Sequence, residues 1–121
     1  MRHVLAAVTL ALLLTTGQTG FAQTLVAKNV RDLGSEKKGT RLQALSTLGS
    51  LGKGACSAAP ALKTLVDFEL DPHVALQAVQ ALTQIGAHRQ LQALLQHPGL
   101  HIRMQAVMGL TVIGSPARMA A

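Results

Sequence analysis

The sequence predicts an all-α protein, a stack of amphipathic helices with no sheet. Three observations carry this. One ten-residue block occurs three times within 121 residues. Each copy places apolar residues at helical spacing and ends on glycine. The apolar content of 49% is mostly Leu and Ala, with no Trp or Tyr and with Phe21 and Phe68 the only aromatic residues. Such a core suits closely packed helices, whereas sheets favour β-branched and aromatic residues.

The blocks are QALSTLGSLG at 43–52, QAVQALTQIG at 77–86 and QAVMGLTVIG at 105–114. All three share the Gln, the Ala, the central Leu and the closing Gly. Their starts lie 34 and then 28 residues apart, a spacing typical of helical-hairpin repeats. Leu45, Leu48 and Leu51 recur every three residues, as do Val79, Leu82, Ile85 and Val107, Leu110, Ile113. Each series is an apolar stripe along one helix face. The glycines Gly52, Gly86 and Gly114 stand where a helix ends in the left-handed conformation.

The second block helix starts at Asp71-Pro72, with Asp as the cap and Pro in the first turn. Shorter helices are expected between the blocks, over Ala59–Phe68 with Pro60 in its first turn and over residues 88–96. A third, over residues 24–33, precedes the first block. Short and block helices thus alternate, and short connections pack neighbours antiparallel in a stack.

The first residues read as an export signal. Met1-Arg2-His3 is a basic start, residues 4–14 are apolar apart from Thr9, and Gly20-Phe21-Ala22 supplies the small residues of a cleavage site after Ala22. The apolar run falls short of the ~20 residues of a membrane span. The expectation is a signal peptide over residues 1–22 and one helical repeat domain over residues 23–121, exported to the periplasm or secreted. That domain carries ten basic and five acidic residues, a net charge of +5. All acids precede Pro72; beyond it lie Arg89, Arg103, Arg118 and four histidines. A single cysteine, Cys56, allows no internal disulfide.

Asp71, Pro72 and Val74, followed by Ala78, Ala81-Leu82 and Ile85-Gly86, resemble the first helix of a HEAT repeat. Leu48-Gly49-Ser50-Leu51-Gly52 is similar to that helix's ending in the family, and Ala59-Pro60-Ala61-Leu62 is similar to the start of the second helix. The resemblance covers most of residues 24–119. It implies an α-solenoid of stacked antiparallel helix pairs, about two and a half to three repeats. It also implies that second helices line a concave binding surface, which makes Lys63, Asp67, Arg89, Gln92 and Gln96 candidate partner-binding residues. The family commonly pairs an Asp in the turn with an Arg after the Val. Here Ala75 replaces that Arg beside Asp71, while Arg41 and Arg103 follow Lys37 and Gly99. A ladder joining Asp71 to Arg41 or Arg103 is expected.

Little in the chain points to catalysis. Cys56 has no neighbouring His motif and reads as a small residue packed under a turn. His97 and His101 have ligand spacing, but Pro98-Gly99 breaks the helix face between them, so no metal site is assigned. Asp67, Glu69 and Asp71 flank a helix end and a cap. No cofactor motif is present, and no catalytic residue is assigned. Lys37, Lys38 and Arg41 crowd a helix start, where positive charge is unfavourable, which points weakly to an acidic partner. An exported chain without aromatic stacking residues disfavours nucleic acid.

The expected function is a non-catalytic interaction scaffold of the cell envelope, not integral to the membrane after signal cleavage. It would hold a protein partner through the second helices and through an uncapped C-terminal edge, where Ile102, Val107, Leu110 and Ile113 lose cover and self-association becomes possible. The alternatives are an accessory enzyme of the lyase-like HEAT type, or a binder of an anionic envelope polymer or lipid surface. Intact mass of protein recovered from its own compartment should correspond to residues 23–121. A mass that retains residues 1–22 removes the export reading.

Overall fold

The computed structural model describes residues 18–114. The apolar run at residues 4–14 and Arg118 lie outside that range. Six α-helices are present among the described residues: α1 (Gln18–Asp32), α2 (Lys38–Leu51), α3 (Ala59–Phe68), α4 (Pro72–Ile85), α5 (His88–Leu94) and α6 (Leu100–Ile113). A 3-10 segment, Gly52–Ala58, joins α2 to α3. No helix of the described residues is long and apolar enough to cross a membrane. The first helix begins earlier than the expected 24–33, so the predicted junction after Ala22 falls within α1.

The blocks form the ends of α2, α4 and α6, and their shared Ala and Leu belong to the core while the shared Gln and closing Gly are exposed or half-buried. Ala44, Ala78 and Ala106 are buried, as are Leu48 and Leu82. The closing glycines all have positive φ. Only Gly86 is left-handed as expected, at φ 82°, ψ 32°, with its N–H on the carbonyls of Leu82 and Thr83. Gly52 (57°, −133°) and Gly114 (83°, 173°) instead adopt extended positive-φ conformations. The difference has a local cause after Gly52: small residues let the chain coil into the 3-10 segment, burying Ala55 and Ala58.

The block helices pack side by side, α2 on α4 and α4 on α6. The short helices α3 and α5 pack on the block helices that follow them, α4 and α6, while α1 packs on α2 and the 3-10 segment. The middle helix α4 buries Val74, Ala75, Ala78, Val79, Ala81, Leu82 and Ile85, whereas α6 buries only Ile102, Ala106 and Gly109. Leu62 of α3 and Leu91 and Leu94 of α5 complete the centre, all fully buried. Within α1, buried Asn29 satisfies its amide on the Leu25 carbonyl at 2.8 Å.

Glycine closes each crossing between block helices. A Cβ at Gly49 would collide with the Gln84 side chain and lie 3.6 Å from the Ala81 Cα. A Cβ at Gly109 would collide with the Thr83 hydroxyl and lie 3.4 Å from both Thr83 Cβ and Leu91 Cδ1. The seventh block position therefore faces the fifth position of the next block at both crossings: Gly49 against Ala81, Thr83 against Gly109.

The two glycines should respond oppositely to alanine. Helix propensity favours alanine by about 1 kcal/mol. At Gly49 the obstacle is the end of a flexible, exposed glutamine. At Gly109 it is a β-branched threonine whose hydroxyl is held by the Val79 carbonyl at 3.1 Å. Chemical denaturation should show Gly49→Ala neutral or more stable, and Gly109→Ala less stable by about 1 kcal/mol.

Candidate interaction site

The second-type helices α3 and α5 carry the five candidate residues. Lys63 and Asp67 are one turn apart on α3 and form an ion pair at 2.6 Å. Both side chains are about one-third exposed, so the pair contributes at most ~1 kcal/mol. Arg89 and Gln92 are exposed on α5, and Gln96 is exposed just beyond it. Their exposure follows from α5 being amphipathic: Leu91 and Leu94 take the buried side, which turns Gln92 and Ala93 outward.

A groove between the two helices brings part of this set together. A depression of about 320 Å³ is lined by Pro60, Lys63 and Thr64 of α3 and by Arg89, Gln90 and Ala93 of α5. It shares Pro60, Arg89 and Gln90 with a second depression of about 420 Å³, lined also by Cys56, Ser57, Gly86 and His88. Lys63 and Arg89 thus flank one continuous open groove. Asp67, Gln92 and Gln96 are not in its lining.

Two groove residues were not predicted. Cys56 is exposed in the 3-10 segment, not packed under a turn; Ala55 and Ala58 take the buried positions beside it. His88 opens α5, and its Nε2 is shielded from solvent with no partner among the described residues. A thiol and an imidazole line the same depression, yet no carboxylate is among its lining residues. Their separation of 32 positions hid this proximity. Among the described residues no group of three or more His, Cys, Asp or Glu side chains could hold a metal. His97 uses Nδ1 to accept the Gly99 N–H at 2.9 Å, and His101 is exposed on α6.

Two of the three basic residues at the start of α2, Lys38 and Arg41, have acidic partners inside the chain, whereas Lys37 is exposed and forms no ion pair among the described residues. Glu69 receives Arg41: Nε lies 3.0 Å from one carboxylate oxygen in an ion contact, and Nη2 donates to the other at 3.3 Å. Lys38 lies 2.8 Å from Asp71. The expected pairing of Asp71 with Arg41 or Arg103 is therefore not formed: Glu69, in the turn after α3, takes Arg41, and Asp71 takes Lys38. Arg103 pairs with neither. Asp71 also caps α4, accepting the N–H groups of His73 at 2.9 Å and Val74 at 3.4 Å. The bond from Lys38 is the main cause that holds the Asp71 carboxyl below its ordinary pKa; desolvation opposes it, and the His73 and Val74 N–H groups lower it further.

Arg41 has a further task. Its Nη1 donates to the carbonyls of Ser35 (2.9 Å) and Glu36 (3.1 Å), pinning the turn before α2. Arg103 repeats this on the carbonyls of His97 (2.9 Å) and Pro98 (3.0 Å) before α6. The turn before α4, where Ala75 replaces the arginine, uses the Asp71 cap instead. A third hollow, about 430 Å³, lies beside the Arg41–Glu69 pair between Leu33, Arg41, Leu65 and the turn residues Phe68 and Leu70. Phe68 and Leu70 are 80% and 97% exposed. Two large apolar residues within an acidic turn were a sequence signal for this knuckle.

Comparison of the chain with protein-family models, with curated proteins and with solved structures found no match.

The Arg41–Glu69 contact is shielded, with side chains 16% and 7% exposed. Removing one partner strands the other charge. Glu69→Gln should destabilise the protein by about 3 kcal/mol at pH 7, measured by denaturant unfolding. The Asp71 pKa is lowered in the folded state, so its contribution is present above the ordinary aspartate pKa and lost as pH falls through the lowered value. Acid unfolding of Asp71→Asn should lack that portion of the pH dependence.

Proposed function

We propose that the chain is a HEAT-like stack of helix pairs acting as a non-catalytic interaction scaffold of the cell envelope. The groove between α3 and α5 holds a protein partner in this reading. The observation that carries it is the continuous groove flanked by Lys63 and Arg89 on consecutive second-type helices. The same register at both block-helix crossings supports repeated helix pairs over an irregular bundle.

The charge distribution favours this face over the start of α2. Lys38 and Arg41 are engaged by Asp71 and Glu69. Arg89 is exposed and forms no ion pair among the described residues. Lys63 has only the weak local pair with Asp67. An extended partner segment with an acidic side chain fits such a groove: the carboxylate meets Arg89, and small side chains lie over Pro60 and Ala93. Export through residues 1–22 places that partner in the envelope or outside the cell.

A second reading rests on Cys56 and His88 sharing one depression. It is an accessory enzyme using the thiol. The general pattern for such chemistry is a nucleophile, a base and a third group that orients the base. The groove supplies the first two side-chain types.

Site-specific photo-crosslinking in the native compartment separates the readings. A photoreactive residue at Gln92 or Ala93 should give a discrete protein adduct, and one at Gln43 should not. The adduct should disappear with Lys63→Glu plus Arg89→Glu and persist with Cys56→Ser. Loss with Cys56→Ser and persistence with the charge reversal would replace the scaffold reading with the thiol one.

A further inference from the structure

Among the described residues, the outer face of α6 repeats, uncovered, a face that is covered on both other block helices. On α2 and α4 the residues Leu45 and Val79 are 2% and 1% exposed, because α4 and α6 respectively lie over them. The equivalent Val107 is 53% exposed. Leu42 and Leu76 are partly buried, whereas Met104 is 51% exposed. The exposed edge differs from the expected one. Ile102 is buried, and Leu110 and Ile113 pack on the core, so Leu100, Met104, Val107, Met108 and Val112 form it. Met108 and Val112 stand where the earlier blocks have Ser46 and Gln80, then Ser50 and Gln84. A helix that caps a repeat array presents a polar outer face, and the outer face of α6 is apolar.

Two more features define what fits there. Thr111 is the seventh residue of its block, and at both existing crossings that residue meets a fifth-position Ala or Gly. Arg103 grips its turn carbonyls as Arg41 does. Arg41 also receives a carboxylate from Glu69, 28 residues further on, in the turn that leads into the next block helix. Among the described residues Arg103 has no such acid, and the sequence has none after Asp71.

We propose that the outer face of α6 docks a helix pair of this same repeat type, carried by a partner polypeptide and entered through an acidic turn. The partner's carboxylate pairs with Arg103, its apolar stripe covers Met104 and Val107, and a Gly or Ala seats against Thr111. The proposal rests on the repeat-stack reading above. A second copy of this chain fits poorly. Stacked in register, its α2 would offer Thr47 to Thr111 and Ser35 to Arg103, since these occupy the positions of Ala81 and Glu69.

The test uses a defined probe, a peptide of residues 53–86 with Cys56→Ser and Ala81→Gly, titrated into the intact protein. One-to-one saturable binding with a gain of helical signal is expected. Glu69→Gln in the peptide, which leaves the protein untouched, should weaken binding about tenfold. Arg103→Glu in the protein should do the same, with recovery by a Glu69→Lys peptide. Lys63→Glu plus Arg89→Glu should have no effect, so failure of the groove reading and failure of this one are distinguishable. The same segment joined after Gly114 should raise the melting temperature. Absence of binding up to about 1 mM together with no rise in the fused protein overturns the proposal. So does binding indifferent to Glu69 and Arg103, self-association through α6, or a native chain longer than 121 residues by a helix pair of its own.

Discussion

The close approach of the block helices is the constraint on which the other features depend. At each crossing a small residue meets its neighbour: Gly49 against Ala81 and Gly109 against Thr83. Interiors are packed as densely as organic crystals, so a side chain inserted at Gly109 presses on Thr83 and Leu91, whereas at Gly49 only the flexible end of Gln84 has to give. Ala44, Ala78 and Ala106 add small residues to the same tightly packed core. With α2, α4 and α6 held together, the short helices fall on the faces left to them. Leu62, Leu91 and Leu94 then fill the space between layers. The groove between α3 and α5 exists because the block helices set the spacing of what packs on them.

Charge in the first half of the chain serves the same stacking. A basic helix start is unfavourable alone, because the N-terminal backbone already presents positive dipole. Lys38 and Arg41 become tolerable when the next turn lays Asp71 and Glu69 against them. The exchange is mutual, since Asp71 uses its other contacts to cap α4. Three turns are thereby secured in two ways, by an arginine reaching back to carbonyls or by an aspartate capping forward. The charges so engaged are structural. With those set aside, Arg31, Lys37, Lys53 and Arg89 are the exposed basic residues without an ion pair among the described residues, and of these only Arg89 lines the groove between α3 and α5.

The exposed faces of α2 and α6 are chemically unlike. On α2 the exposed residues include Gln43, Ser46 and Ser50, while α6 exposes Met104, Val107, Met108 and Val112. Single exposed apolar residues are ordinary on protein surfaces; several on one helix face are a feature that water penalises as a unit. The knuckle of Phe68 and Leu70 is a smaller instance on another side.

The sequence by itself determined that helices form, their order and most of their buried faces. Those properties are local: period, caps and closing glycines act within a few residues, so the Ala59–Phe68 helix and the Asp71-Pro72 start were legible without coordinates. It also marked the block as core, because Ala and Leu recur there at fixed phase. Which acid meets which base was decided only by tertiary structure. Asp71 and Glu69 differ by two positions in one turn, and it is Glu69 that the folded turn lays against Arg41. The groove was likewise hidden, because Cys56 and His88 meet only after α4 has carried the chain back beside the 3-10 segment. The edge residues were misjudged for a related reason. The stripe of Ile102, Leu110 and Ile113 faces inward, and a helix in a stack needs a second apolar face for its next neighbour, whose direction depends on how its first face is docked.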